Sequence, residues 1–522
     1  MKIQKYLKRL SVVGSLLLGI ALCQACIDDG LNDPDGRVSE EELNRDGFAA
    51  NAFFPVMCDY AYPTGNENIY NREMSILGDC YGRYMVMATD KFKGANYITY
   101  NASDDWLNFI FHAEGSMVNL HAAWNKIRQV TGEVGVNYAW AQILRVLAMQ
   151  RLVDVYGAIP YTKVPQGDIT TAYDSMEEAY RAMFKDLTDA INVMTQYVES
   201  NPSVRSMAEF DPVYDGNFKK WVKFANSLKL RMAIRIRFAA AGLAQEMAEE
   251  AVNHPIGVMT SNDDNAFCLG TKNQLWTVLT QWADHCVSAD LTAYMNGFKD
   301  PRLPLYVTKN TKGYEKEPYV GMRAGQSYGD YISGPKLSRI NTDEKDRMLW
   351  MCAAETAFNR AEGAMLKWNM GGKEKDLYEE GVKLSFGQWG AKGADTYLSD
   401  NTSTQASYTD PFYGAGNIQP VSAITIKWND GAGDEEKLER LITQKWIALY
   451  PLGQEAWSEY RRTGYPKFFP VYGNVTPNIP VANRIPFPPS EFTRNAENVK
   501  AAIAKVGGDG YDVKVWWQRR DK

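Results

Sequence analysis

Residues Arg151 to Val164 read "RLVDVYGAIPYTKV". Leu152 and Val155 are three apart and share one helical face. Gly157 and Pro160 follow at once, and a glycine just past the last turn with a proline soon after is how helices end. The stretch therefore reads as the close of an apolar helix and a sharp exit from it. Upstream, Trp140, Ile143, Leu144 and Leu147 carry the same face back towards a break at Thr131-Gly132. Before the break, Met117, Leu120, Trp124, Ile127 and Thr131 repeat the pattern.

Further out the reading stays helical. Ser175 with Glu178 is spaced as a capping box ahead of Ala179, Met183, Leu187, Ile191 and Met194. Phe218, Trp221, Ala225, Leu228 and Met232 mark another helix, and others are expected at 348–368, 375–389, 438–449 and 455–460. Turn-rich blocks at 58–110, 260–345, 392–432 and 463–490 lie between them. Long ordered loops in a compact protein usually carry function. The expected fold class is mainly α, with long irregular loops and few short strands. No period of about 34 residues emerges, so the spacing alone does not announce a helical repeat.

The N-terminus follows other rules. Lys2, Lys5, Lys8 and Arg9 precede an apolar run from Val12 to Leu22, closed by Ala21 and Ala25, the layout of a secretory signal. The run is shorter than the ~20 apolar residues that span a bilayer as a helix. Cys23 and Cys26 are spaced C-x-x-C, but no second pair and no βαβ pattern accompany them. Residues 27–46 are acidic and poor in apolar side chains, as in a solvated tether. Inside it, Asn32 to Gly36 with Glu42 half-matches a calcium loop, but Leu31 stands where Asp is required.

Charge and cysteine usage exclude some classes. The chain carries a formal charge of −6, and a cleaved leader would take four cations with it. Nucleic acid, which needs a basic face, is therefore not an expected partner. Beyond the leader, Cys58, Cys80, Cys268, Cys286 and Cys352 are odd in number and widely spaced. They do not form a disulfide framework, although Cys58 with Cys80 stays open as a pair. The Lys and Arg residues between Lys219 and Arg237 are expected to be solvated or acid-paired.

Catalytic motifs find little support. Gly325 to Gly329 spell G-x-S-x-G, but no strand–helix context surrounds them and no histidine follows Ser327. The histidines show no zinc spacing, and Asp284, His285 and Cys286 read as loop residues. Ser261 to Ala266, "SNDDNA", offers oxygens for calcium, yet turn chemistry explains the same residues. No cofactor is expected. A glycosidase needs two carboxylates ~5–9 Å apart. Glu355 and Glu362 share a helix face, and structural pairing is the simpler role for them.

Several segments together resemble one family, the SusD/RagB nutrient-binding lipoproteins. They are Arg151–Val164, "WVKFANSLKLRMAIRIR" (Trp221–Arg237), "DPRLP" (Asp300–Pro304), "AAETAFNRAEGAM" (Ala353–Met365), "YEEGVKLSFGQWG" (Tyr378–Gly390), "QKWIALYPLGQEAWSEYRRTGYP" (Gln444–Pro466) and "RIPFPPSEFTRN" (Arg484–Asn495). "ALCQACIDDG" (Ala21–Gly30) similarly resembles a lipoprotein signal, with Cys26 as the lipidated residue. Asp28 and Asp29 resemble an acidic surface-export signal of the Bacteroidota.

The resemblance implies a signal peptide over 1–25, a lipidated tether over 26–46 and one body over 47–522. It implies a scaffold of tetratricopeptide-type helical hairpins, anchored by lipid to the outer membrane and facing outward. The implied role is to hold an oligosaccharide, or a peptide, as a lid over a SusC-like TonB-dependent barrel, without catalysis. Alternatives are a secreted glycoside hydrolase and an adhesive surface lipoprotein without a small ligand. Arg461 and Arg462 are expected in ion pairs. The ligand site is expected in the loops, on Tyr100 and Trp106 and on Trp276 and Trp282, whose rings could stack on sugar faces amid amides. Each of these rings equally fits the core or a barrel-facing surface.

Overall fold

A computed structural model describes residues 48–519, apart from positions 88, 90, 113, 165–169, 206, 269, 271, 312–316, 327–336 and 413. The signal segment, Cys26, the acidic tether and Ser327 lie outside the described residues. The helices that matter here are α1 (Phe54–Ala61), α2 (Ser116–Thr131), α3 (Gly135–Tyr156), α4 (Met176–Ser200), α5 (Phe218–Ile236), α6 (Ala241–Val252), α7 (Ala353–Met365), α8 (Glu374–Trp389), α9 (Asp434–Leu449), α10 (Gly453–Thr463) and α11 (Ala496–Val506). Three antiparallel two-stranded ribbons complete the described elements: β1 (Met85–Met87) with β5 (His285–Val287), β2 (Ala158–Ile159) with β3 (Asp174–Ser175), and β4 (Ala266–Cys268) with β6 (Met348–Met351). Among the described residues no helix is long and apolar enough to cross a membrane.

The opening stretch does what its residues dictate. Gly157 ends α3 at φ +84°, and its N–H bonds back to the Val153 carbonyl at 2.8 Å. Ala158–Ile159 then pairs with Asp174–Ser175, and Ser175 caps α4 through a complete capping box with Glu178. Gly132, at φ +61°, closes α2. Only three residues separate α2 from α3, so the two lie back to back as a hairpin. Neighbouring helices pack in succession: α2 on α3, α3 on α4, α4 on α5, α5 on α6, then α7 on α8 and α9 on α10. This is the mainly helical body expected from the sequence, with helical hairpins of the kind the resemblance implied.

Aromatic packing sets the core. Trp140 stacks on Phe54 at 4.1 Å and leans on Trp221, all fully buried. Burying a large apolar side chain is worth about 1.5–3 kcal/mol. Gly381 of α8 lets that helix approach α7 closely, since a Cβ there would sit 2.8 Å from the Phe358 ring.

Charge is also buried, and it is paired. Arg231 grips Glu355 through two bonds of 2.6 Å. Arg235 bridges Asp154 and Glu455, while Arg237 and Arg462 share Glu362. Lys223 meets Asp264 and Lys229 meets Glu250. Lys223, Lys229, Arg231, Arg235 and Arg237 of the basic stripe are thus acid-paired, while Lys219 is exposed and Lys220 donates to the Asp263 carbonyl, and Glu355 and Glu362 are structural. Asp154 of the opening stretch also accepts the Tyr180 hydroxyl and the Trp517 ring N–H. Arg462 forms the ion pairs expected of it. Arg461 instead donates to the Asn483 carbonyl and stacks on Trp457 at 3.7 Å.

Some expectations change. Residues 348–351 form β6 rather than the start of a helix. The block 58–110 holds the end of α1 and a wide-turn helix at Asn71–Asp79, and α6 and α11 are further helices. Cys58 and Cys80 are free and buried, so they do not pair. His285 and Cys286 lie in a strand, not a loop. The "SNDDNA" segment is turn chemistry: Asp264 accepts the Thr260 and Ser261 N–H groups and pairs with Lys223.

Asp79 yields a pH prediction. It is fully buried, accepting from the Tyr70 hydroxyl and from the Gly453 N–H at 3.2 Å. Burial pushes its carboxyl well above the usual range, and these two bonds only partly oppose the shift. The native state therefore prefers the protonated form. Its contribution to stability is intact below the unfolded pKa of about 4 and declines as pH rises towards the folded value. Asp79→Asn should raise the melting temperature at pH 7, and the gain should vanish below about pH 4. Thermal unfolding at both pH values checks this; a gain independent of pH contradicts it.

Candidate functional site

The loop 91–106 is built tightly. Asn96 and Asn101 exchange backbone hydrogen bonds at 3.0 and 2.9 Å, which places Tyr100 in the left-handed region at φ +58°. The Tyr100 hydroxyl donates to the Ile479 carbonyl at 2.6 Å, and its ring leans on Tyr511. Burial raises the Tyr100 pKa, so the hydroxyl stays a neutral donor. Ser103 caps the short helix Asp104–Phe109 by accepting the Trp106 N–H. Trp106 is only 6% exposed, stacked on Tyr97 at 5.5 Å and met edge-on by Phe92.

The second pair sits in the 273–284 segment. Asn273 accepts the Trp276 N–H at 3.0 Å and starts a helical turn. That turn widens through Thr277–Gln281 and ends at Trp282. Both tryptophans are half-buried. Lys91 joins the two regions, donating to the Trp282 carbonyl at 3.2 Å and pairing with Asp284. The structure thus brings the 91–106 loop to Trp282, with Trp106 spent on the loop's own core.

Two hollows lie beside this segment. The larger, about 380 Å³, has aromatic walls from Tyr62, Tyr70, Phe267, Trp389 and Tyr450, with Asn341 and Gln388 among its polar groups. Tyr450 is held rigid by stacking on Tyr306 at 4.3 Å. The smaller, about 230 Å³, is walled by Leu279, Thr280 and Ala283 from the tryptophan segment itself. None of Tyr100, Trp106, Trp276 and Trp282 lines either hollow. The larger hollow's aromatic residues come from separated stretches of chain, so no local pattern could have singled them out. Rings beside amides suit a ligand with apolar faces and hydroxyl edges. Among the described residues no group of three or more His, Cys, Asp and Glu is placed to hold a metal.

Comparison with known proteins decides the family. A family profile described as "SusD-like: Susd and RagB outer membrane lipoprotein" matches residues 30–518. The chain belongs to the SusD/RagB family. A SusD homolog from Bacteroides uniformis ATCC 8492 is 40% identical, with a TM-score of 0.84 over 91% of this chain and 100% of that one. A chitin-binding SusD homolog from Flavobacterium johnsoniae is 35% identical, with a TM-score of 0.84 over 90% and 99%. A SusD-like protein from Bacteroides thetaiotaomicron VPI-5482 is 34% identical, again at 0.84 over 90% and 99%. No curated protein matches. As a SusD-like chain it is an outer-membrane lipoprotein by family, and its mainly helical fold is that of SusD homologues.

Proposed function

We propose that this SusD-like protein captures an oligosaccharide at the cell surface, without turning it over, and delivers it as a lid to a SusC-like TonB-dependent transporter. The observation that carries the reading is family membership over nearly the whole chain, with a chitin-binding homolog among its relatives. The electrostatics add support. Glu355 and Glu362, the acids that share a helix face, are each locked to buried arginines and are not placed across a cleft. In this reading Trp276 and Trp282 stack on the ligand, while Tyr100 and Trp106 hold the loop opposite in shape.

Calorimetry across neutral and acidic oligosaccharides and peptides tests it. A glycan should bind without release of reducing sugar, and a large barrel protein should co-purify. Trp276→Ala and Trp282→Ala should each weaken that glycan at least about tenfold, since central aromatic anchors carry 2 kcal/mol or more. Release of reducing sugar, or unchanged affinity in both variants, contradicts the proposal.

A further inference from the structure

The larger hollow sorts its lining by exposure. Tyr62, Tyr70, Leu275, Met348, Leu349 and Tyr450 are each 7% exposed or less and form the interior. Asn341, Asp346 and Arg347 are exposed and form the mouth. The volume, about 380 Å³, lies in the ~300–1,000 Å³ range of small-molecule sites and exceeds the ~150 Å³ that holds benzene. The walls are braced from behind. Tyr450 stacks on Tyr306 at 4.3 Å, Trp389 leans on the same Tyr306 at 4.5 Å, and Tyr62 meets Trp350 at 6.2 Å. Rings packed in this way are not free to turn inward and fill the space.

The polar groups decide what fits. The Tyr70 hydroxyl donates to Asp79 at 3.3 Å, and the Tyr450 hydroxyl to the Tyr306 carbonyl at 3.2 Å. Asn273 spends both ends of its amide, donating to the Asp346 carbonyl and accepting the Trp276 N–H, each at 3.0 Å. Among the buried side chains of the lining, that leaves the Tyr62 hydroxyl. A pyranose brings several hydroxyls, and each one buried without a partner is penalised. A flat ring with one polar edge escapes that penalty. Tyr62, Tyr70, Phe267, Trp389 and Tyr450 offer it the offset and edge contacts that aromatic rings favour. A sugar attached to such a ring finds polar partners at the mouth. Asn273 and Leu275 also belong to the turn that carries Trp276, so the hollow adjoins the segment on which the sugar is proposed to stack.

We infer that the larger hollow binds the aromatic acyl group of an esterified oligosaccharide, a hydroxycinnamoyl-type ring whose sugar stays at the mouth. This rests on the glycan-capture reading above and names a substituent of the captured glycan.

The test is calorimetry of the full-length lipoprotein in detergent with four soluble probes: feruloyl glucose, its saturated counterpart cyclohexylpropanoyl glucose, glucose, and the peptide Gly-Tyr-Gly. Feruloyl glucose should bind tenfold or more tighter than glucose, and about fivefold tighter than the saturated ester, since aromatic pairing adds to burial. Leu349→Phe and Leu275→Phe narrow the hollow from different elements, and either one, once shown by circular dichroism to be folded, should cut the advantage over glucose to about twofold. Equal affinity for feruloyl glucose and glucose overturns the inference, as does an advantage that survives both narrowing variants. Tighter binding of Gly-Tyr-Gly than of feruloyl glucose gives the hollow to a peptide side chain and overturns it too. If unesterified oligosaccharides still bind in any of these cases, glycan capture stands and only the aromatic site falls. Binding of no oligosaccharide, esterified or not, removes both.

Discussion

Arg462→Ala should cost about 3–5 kcal/mol of stability, because it strips the counter-charge from two buried carboxylates at once. Arg462 is fully buried and donates to Glu362 at 2.5 and 2.7 Å and to Glu459 at 2.5 Å. Burial pushes the Glu362 carboxyl up, but Arg462 and Arg237 outweigh it and hold it below the usual range. Glu459 is likewise pushed up by burial and pulled below the range by Arg462 and Lys445. The native state therefore prefers both ionised, and their contribution is present above the unfolded carboxylate pKa and lost as pH falls through the lower folded values. Without Arg462 the two acids face each other with one cation apiece, Arg237 and Lys445. Protonation then relieves the repulsion, so the penalty should be largest at pH 7 and shrink below about pH 5. Arg462→Met with Glu362→Gln should recover part of the loss, since breaking a buried pair costs more than replacing it. Urea unfolding at pH 7 and at about pH 4 decides the matter. A loss below 1 kcal/mol, or one equal at both pH values, means the cluster is screened.

Much of the scaffold was legible because its signals are local. Gly132 and Gly157 end helices by taking positive φ, which glycine adopts without penalty, and Ser175 with Glu178 caps α4 through groups three residues apart. Where the structure departs from the reading, tertiary context decided. Met348–Met351 is an apolar run that periodicity cannot assign, and pairing with Ala266–Cys268 makes it a strand. The wide-turn helix Asn71–Asp79 depends on α10 lying against it. A Cβ on Gly453 would sit 2.3 Å from the Asp79 Cα, an approach visible only in three dimensions.

The site was legible only in part, for the same reason. The Trp276–Trp282 segment stood out as aromatic residues among polar ones; its Leu279 and Thr280 wall the smaller hollow, while neither tryptophan lines it. Trp106 looked equivalent in sequence, but Phe92 and Tyr97 close over it. The larger hollow draws on Tyr62, Phe267, Trp389 and Tyr450, scattered over nearly four hundred residues of chain. Each of these alone reads as ordinary core. The basic stripe of α5 was harder still: its acid partners Glu250, Glu355, Glu362 and Glu455 are identified only by folding.

Cys26→Ser should release the protein from the membrane fraction altogether. Family membership makes the chain an outer-membrane lipoprotein, and the described residues contain no helix able to span a bilayer. We propose that a lipid on the Cys26 thiol is what ties the body to the membrane. A single acyl chain gives only marginal, reversible attachment, whereas two or more hold firmly, so loss of the lipidated residue should act as an all-or-none change. Asp28→Ala with Asp29→Ala should act differently: the lipid remains and the protein still sediments with membranes, but protease added to intact cells no longer reaches it. Fractionation, surface proteolysis and mass spectrometry of the mature N-terminus separate the two effects. Sedimentation of the Cys26→Ser protein with membranes, or acyl groups found on Cys23, would place the anchor elsewhere. If the lid reading is right, growth on the captured glycan should fall with Cys26→Ser even though the purified variant binds that glycan as before, since capture helps import only when the binder stays beside its transporter.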